Sequence, residues 1–230
     1  MRAFTRALEL IYPSKCPFCG RLLAEDAAED GICPECRTAL PWTGAGAVSR
    51  GSYYSACVSP LYYRDRARQG LLRFKFRHRS AAASCFGRLM ADCVKANIEK
   101  EIDLVTYVPL SFLRLRKRGY SQCRLLAEAL AAQLGLPCVR LLRKRRHTRP
   151  LSGVREEERR RAVVSGAFAL CRGAEERMKD KCVLLVDDVV TTGATLGECS
   201  RLLLTFGADR VVCATLCKAN RKQRGTAETV

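Results

Sequence analysis

The sequence predicts an α/β fold, a parallel sheet flanked by helices, with a small metal-stapled module at its N-terminal end. Three observations carry this. Residues 183–196 read VLLVDDVVTTGATL, an apolar run that reaches two adjacent acids and then a Thr/Gly turn. An amphipathic pattern and a second apolar run follow directly, completing a strand-helix-strand unit. Near the other end, Cys16-Pro-Phe-Cys19 and Cys33-Pro-Glu-Cys36 form a CxxC…CxxC pair.

Each CxxC brings two thiolates to one ion, and two of them complete the tetrahedral four-thiolate shell of a structural zinc site, which leaves no position for a substrate. Cys16, Cys19, Cys33 and Cys36 are therefore expected as zinc ligands. The segment 14–40 is too short for a large core, so the metal is expected to supply much of its folding energy. The small-residue stretch 44–51 marks a boundary, giving a zinc-ribbon module over 1–45 and a main domain over 52–220. Trp42 is expected to pack one against the other.

In the main domain, Asp103 to Val108 reads as a strand, a helix is expected to begin near Ser121, and a short strand lies around Val139. Glu156-Glu157-Glu158 beside Arg159-Arg160-Arg161 suggests a helix face with i,i+4 pairs. Cys182 to Val186 is aliphatic without alternation, as in a strand buried on both faces of a parallel sheet. Asp187 and Asp188 then stand at its carboxyl end, the edge where open α/β sheets bind ligands. Leu196, Cys199, Leu202, Leu203 and Phe206 recur at helical spacing, Gly207 supplies a stop, and Val211 to Cys217 reads as the next buried strand. Residues 219–230 read as a polar tail.

With 230 residues, 48% of them hydrophobic, the chain has material for one substantial core and a small appendage. The cysteines outside the ribbon sit mostly among Ala, Leu and Val and read as small buried hydrophobes. Neither an export-type apolar core nor an 18-residue apolar run is apparent, so a cytoplasmic protein without membrane insertion is expected.

The formal charge of +18 is local: residues 64–149 hold 21 Lys/Arg against 6 Asp/Glu, a net +15, whereas 1–45 total −1 and 182–230 total +1. Arg114, Arg116, Lys117 and Arg118 follow the 103–108 strand, and Arg143 to Arg149 follow the next. Both groups are expected in loops on the edge that holds Asp187 and Asp188. Cations there suit a pyrophosphate clamp or a nucleic-acid groove, and a merely solvated basic face is the third reading. His78 and His147 lie in Arg-rich stretches without a partner at metal-ligand spacing and read as surface.

The turn Thr191-Thr192-Gly193-Ala194-Thr195 aims backbone N–H and hydroxyl groups at one point on a helix N-terminus, an arrangement that suits a monophosphate. Two adjacent carboxylates, being acceptors only, can take hydrogen bonds from neighbouring sugar hydroxyls or face a hydrated Mg²⁺. Side by side, the two features describe a site for a phosphorylated sugar.

This stretch resembles the phosphoribosyl pyrophosphate (PRPP) motif of type I phosphoribosyltransferases. The resemblance implies Asp187 and Asp188 on the ribose hydroxyls, residues Thr191, Thr192, Gly193, Ala194 and Thr195 around the 5′-phosphate, and magnesium bound with PRPP. Other motifs sharpen it: Tyr62-Tyr63, Leu72-Arg73-Phe74-Lys75-Phe76, Val108-Pro109-Leu110, Arg116-Lys117-Arg118-Gly119-Tyr120-Ser121-Gln122 and Gly166-Ala167-Phe168. Together with the cysteine module, this order is similar to the ComF family over nearly the whole chain. That likeness implies a type I phosphoribosyltransferase-like sheet with a zinc ribbon. It adds Arg116, Arg118 and Gly119 to the ligand site and makes Asp187, Asp188 and Arg118 the catalytic candidates. As partners it implies PRPP or a related phosphoribosyl ligand, single-stranded DNA and DNA-uptake proteins. A working transferase that joins a base or amine to PRPP with release of pyrophosphate stays open, as does a PRPP-sensing regulator without turnover. The chain departs from the family pattern at Ser121, Leu151 and Ala162, where Asn, Gln and Asn are expected. Tyr120 and Phe168 are able to stack on a base but read more readily as core.

Overall fold

The computed structural model describes residues 15–23, 31–76, 82–145 and 166–219. After the ribbon's helix α1 (Pro34–Ala39) come the hairpin strands β1 (Val48–Gly51) and β2 (Tyr54–Val58), the short β3 (Leu61–Tyr62) and the helices α2 (Asp65–Phe76) and α3 (Ala82–Asn97). Strand β4 (Leu104–Tyr107) leads to α4 (Phe112–Arg118) and α5 (Gln122–Leu134), then to β5 (Leu142–Lys144), β6 (Phe168–Leu170) and α6 (Ala174–Met178). The chain closes with β7 (Cys182–Val190), α7 (Ala194–Thr205) and β8 (Arg210–Lys218). The six-stranded sheet is ordered β1-β2-β8-β7-β4, with β3 also on β8. Its pairings are parallel except for β1 with β2, and β5 and β6 form a separate antiparallel pair.

The absence of alternation in β7 has the expected cause. Val183 and Leu185 pack into a layer with Leu196, Cys199 and Leu203 of α7, while Leu184 and Val186 face Phe86 and Met90 of α3 and Leu126 and Leu130 of α5. The helix expected near Ser121 is α5, and the Ser121 hydroxyl caps it by accepting the Arg124 N–H at 3.4 Å.

Four expectations need correction. Strand β7 does not stop at Val186: β8 accompanies it to Val190↔Lys218, so Asp187 and Asp188 lie inside the strand's second half. Near Val139 the chain makes only a single parallel bridge, Val105↔Cys138, and the strand forms at Leu142–Lys144, where Leu142 is fully buried and pairs with Leu170. Arg143 and Lys144 are therefore strand residues, not loop residues. Arg114, Arg116 and Arg118 are not loop residues either: the segment expected as a loop coils into α4, which Gly119 ends in a left-handed conformation. Finally, Trp42 is 41% exposed, its indole N–H donating to the Arg37 carbonyl at 2.9 Å, and the seat of the ribbon is instead Phe18. The Phe18 ring is fully buried against Phe86 at 5.3 Å between centroids, in the same core cluster as the α3/α5 layer. Burial of one such ring contributes about 1.5–3 kcal/mol.

The readings at residues 156–161, at His78, His147, Leu151 and Ala162, at 146–149 and over most of 219–230 fall outside the described residues. Among the described residues, no helix is long and apolar enough to cross a membrane.

Candidate phosphosugar site and zinc ribbon

Strand β4 sets the position of the carboxylates by ending early. It pairs with β7 only as far as Tyr107↔Val186, and the Val108 N–H closes that ladder on the Val186 carbonyl at 2.9 Å. Past Val186, β7 keeps β8 on one side and opens on the other, so Asp187 and Asp188 stand where the sheet's edge parts.

Neither acid is idle. Asp188 Oδ2 is paired with Lys75 Nζ of α2 at 2.6 Å, the two side chains being 15% and 18% exposed. Asp187 Oδ1 accepts from the Cys123 thiol at 3.2 Å and from the Asp188 N–H at 2.8 Å. Burial, and then the charge of Asp188, push the Asp187 carboxyl up to about 7 against those hydrogen bonds and Lys75. Burial and the two acids likewise hold the Cys123 thiol well above its ordinary range, so it stays a donor.

A raised carboxyl pKa has a stability consequence with a definite sign. Between the unfolded value near 4 and the folded value of about 7, the native state holds the extra proton. Stability therefore falls as pH rises through that window, and above it the full penalty is present. Asp187→Asn is expected to raise the melting temperature at pH 8 by a few degrees, corresponding to about 1 kcal/mol, and to change it little at pH 4. Melting curves at the two pH values check this.

The turn from β7 into α7 has Gly193 at its corner, with φ of +81°. Thr192 Oγ1 accepts the Ala194 N–H at 3.4 Å, and Thr195 lies in the helix's first turn. The Tyr54 hydroxyl fills the space a side chain at 193 would need: a Cβ there would stand 2.7 Å from Tyr54 Oη. On this side Thr191, Thr192 and Gly193 border a groove of about 290 Å³ whose other wall carries Arg50, Tyr54, Tyr62 and Lys218. Lys218 Nζ also donates to the Gly46 carbonyl at 2.7 Å.

Among the basic residues, Arg116 lies with its guanidinium 5.7 Å from the centre of the Phe112 ring, and Arg118 Nη1 donates to Gln122 Oε1 at 2.9 Å. Gly119, at φ +78°, makes the turn from α4 to α5. A second cavity, of about 500 Å³, is bordered by Phe112, Arg143, Lys144 and Arg145. Burial, and then Arg114, lower the Lys144 pKa, and its Nζ lies 5.3 Å from the centre of the Phe168 ring. Phe168 is buried, and the Tyr120 hydroxyl donates to the Phe74 carbonyl, so both aromatics serve the core.

The sequence reading missed Lys75 and Cys123 as neighbours of the acids, and Arg50, Tyr54 and Lys218 as neighbours of the turn. Lys75 stands in the Leu72–Phe76 motif of the resemblance, but nothing local names its partner, which is far along the chain. Cys123 offers none either, reading along the chain as one more buried thiol.

The sulfur atoms of Cys16, Cys19, Cys33 and Cys36 lie within 4.8 Å of one another, with Cys19 and Cys33 at 3.6 Å. A tetrahedral Zn–S shell with bonds of about 2.3 Å has edges of nearly that length. Burial opposes ionisation of Cys16, but backbone N–H groups of Cys19, Cys33 and Phe18 outweigh it and bring the thiol down to about 7. Four sulfurs so close, three of them buried, suit a divalent cation that neutralises thiolates.

Comparison with known proteins agrees with this geometry. Residues 120–228 match the family model described as phosphoribosyl transferase domain, and residues 7–47 match that described as double zinc ribbon domain. The chain is 28% identical to competence protein F of Haemophilus influenzae over 213 residues, covering 84% of this chain and 92% of that one. It is 29% identical to competence protein ComFC of Bacillus subtilis over 196 residues, covering 84% and 72%. It is 30% identical to the DNA utilization protein YhgH of Salmonella typhimurium over 216 residues, covering 89% and 84%. The sheet is a type I phosphoribosyltransferase-like fold carrying a zinc ribbon, and the chain belongs to the ComF family of double zinc ribbon and phosphoribosyltransferase domain proteins.

Proposed function

We propose that this protein binds PRPP or a closely related phosphoribosyl ligand, and that it acts in competence-type handling of incoming single-stranded DNA. One juxtaposition carries the ligand: a carboxylate pair at the opening of the sheet, followed three residues on by the turn at 191–193. Sugar hydroxyls and a 5′-phosphate are then met by acceptors and by a helix N-terminus on one edge. Arg50 and Lys218 add positive charge on the groove beside the turn. Arg116 and Arg118 follow β4 on the same edge and are assigned to the diphosphate.

Magnesium is assigned to the ligand rather than to the acids. Lys75 already offsets Asp188, and Asp187 holds its proton close to neutral pH, so the pair alone offers a divalent ion little charge. The ion's partners would be diphosphate oxygens and water. The role in DNA handling follows the names of the relatives and is supported by exposed Arg143 and Arg145, which border the Phe112 cavity, and by exposed Arg114 of α4. Cations spread wider than one phosphate, beside an aromatic face, suit a single strand.

Calorimetric titration of PRPP with Mg²⁺ into the parent and into Asp188→Asn tests the ligand. Binding is expected in the parent, with affinity at least about tenfold weaker in the variant, since a tenfold loss needs only about 1.4 kcal/mol. Mg²⁺ alone is expected to give no binding heat. A parent that does not bind PRPP refutes the assignment. Turnover would show as pyrophosphate release that depends on an added base.

A further inference from the structure

Helix α2 lies along the ribbon through most of its length and reaches the carboxylates near its C-terminal end. Arg66, Gly70 and Arg73 recur at i, i+4 and i+7 and so share a face. Arg66 Nη1 donates to Cys36 Sγ at 3.2 Å, and Arg73 donates to the Phe18 carbonyl. Between them Gly70 lies so close to the ribbon that a Cβ would stand 2.8 Å from the Phe18 ring and 3.2 Å from the Phe18 Cα. Two residues beyond Arg73, Lys75 makes its ion pair with Asp188. The helix is 12 residues long, a rigid span of about 18 Å.

A second route runs beside it. The Phe18 ring packs on Phe86, Phe86 on Phe74 and Phe74 on Tyr120, with centroids 5.3, 5.4 and 6.1 Å apart. Tyr120 stands three residues before Cys123, whose thiol reaches Asp187. Asp188 is thus held by a helix braced directly on the ribbon, and Asp187 by one whose N-terminal approach the ribbon reaches through a stack of rings.

We propose that Lys75 is a positioning residue which the zinc ribbon holds against Asp188, so that zinc occupancy and ligand binding at the carboxylate pair favour one another. The inference rests on the phosphoribosyl reading of the site. With the ammonium in place, one oxygen of Asp188 is fixed and its charge is offset, which leaves the other oxygen oriented for a hydroxyl. If the ribbon loosens, the outer face of α2 loses its seat and the ammonium its position. Linkage makes the effect reciprocal: a ligand that fixes Asp188 must tighten zinc by the same factor.

Gly70→Ala is the sharpest probe, because it alters neither a zinc ligand nor a residue at the carboxylates. Alanine also favours helix over glycine, so α2 itself is not weakened, while the added methyl wedges it from Phe18. PRPP affinity by calorimetry and the rate of zinc transfer to a chromogenic chelator are compared in wild type, Gly70→Ala, Lys75→Met and Lys75→Arg. Gly70→Ala and Lys75→Met are expected to bind PRPP about fivefold or more weakly and to release zinc faster. Lys75→Arg, which keeps a cation, is expected to hold its zinc like wild type. Saturating PRPP is expected to slow zinc transfer from wild type and not from Lys75→Met. Wild-type PRPP affinity in Gly70→Ala overturns the linkage and leaves the ligand reading standing. If wild type binds no PRPP, the ligand reading fails and zinc alone decides: faster transfer from Lys75→Met upholds the brace between ribbon and Asp188, and an unchanged rate overturns it.

Discussion

Cys36→Ser is expected to abolish stoichiometric zinc and to lower the melting temperature by about 10 °C, the largest effect of any single substitution considered for this chain. Cys36 is fully buried, at the third position of the short helix α1. With three thiolates left, the shell cannot close, and an alcohol is a poor ligand for zinc at neutral pH. What is lost is more than a local loop. Phe18, Ile32, Cys16 and Leu40 lie in the same core cluster as α3, α5 and one face of the sheet, and Phe18 and Ile32 are fully buried there. Releasing those two side chains alone costs about 3–6 kcal/mol, which at about 2–4 °C per kcal/mol gives the expected shift. Metal content by mass spectrometry and a melting curve check it. A variant that kept its zinc and its melting temperature would show that the four sulfurs are not a closed structural shell. A redox dithiol would instead respond to reductant in the wild type.

How much of this was legible beforehand follows the range of the interactions. Local signals read well. The unalternating run from Cys182 and the spacing of Leu196, Cys199 and Leu203 gave a buried strand and the helix after it, because burial on two faces and on one stripe leave different periods. The two CxxC pairs likewise lie close together as written, because four thiols at that spacing have few other uses. Boundaries read less well, since β7 runs on to Val190 only because a neighbour of equal length, β8, is there to pair with it. The seat of the ribbon was misplaced for a related reason. Trp42 and Phe18 look alike along the chain, and only the approach of α2 and α3 decides which ring is covered. The partners of the acids were invisible, because Lys75 and Asp188 meet across the whole fold while Cys123 reads as one more buried thiol until α5 is set beside β7.

Gly193→Ala is expected to weaken phosphoribosyl binding by about tenfold or more while leaving zinc content unchanged, and two separable causes contribute. The backbone at 193 sits at φ +81° and ψ 0°, a left-handed conformation that costs a residue with a Cβ about 1–2 kcal/mol. The Cβ would also stand 2.7 Å from Tyr54 Oη, closer than such atoms approach. Tyr54 cannot readily swing away, being buried in the cluster that contains Leu196 and Val190. The turn must therefore shift, and with it the N-terminus of α7 on which a phosphate would rest. Tyr54→Phe separates the two causes, because it deletes the hydroxyl and leaves the ring, whose Cζ lies 3.9 Å from the added atom. In the double variant the steric part is expected to disappear and the conformational part to remain, so that affinity recovers in part and not fully. A double-mutant cycle on PRPP affinity gives the coupling directly, with a favourable interaction expected between the Gly193→Ala and Tyr54→Phe substitutions. Strict additivity would mean that Tyr54 does not set the shape of the turn, and full recovery would mean that the left-handed backbone costs nothing here.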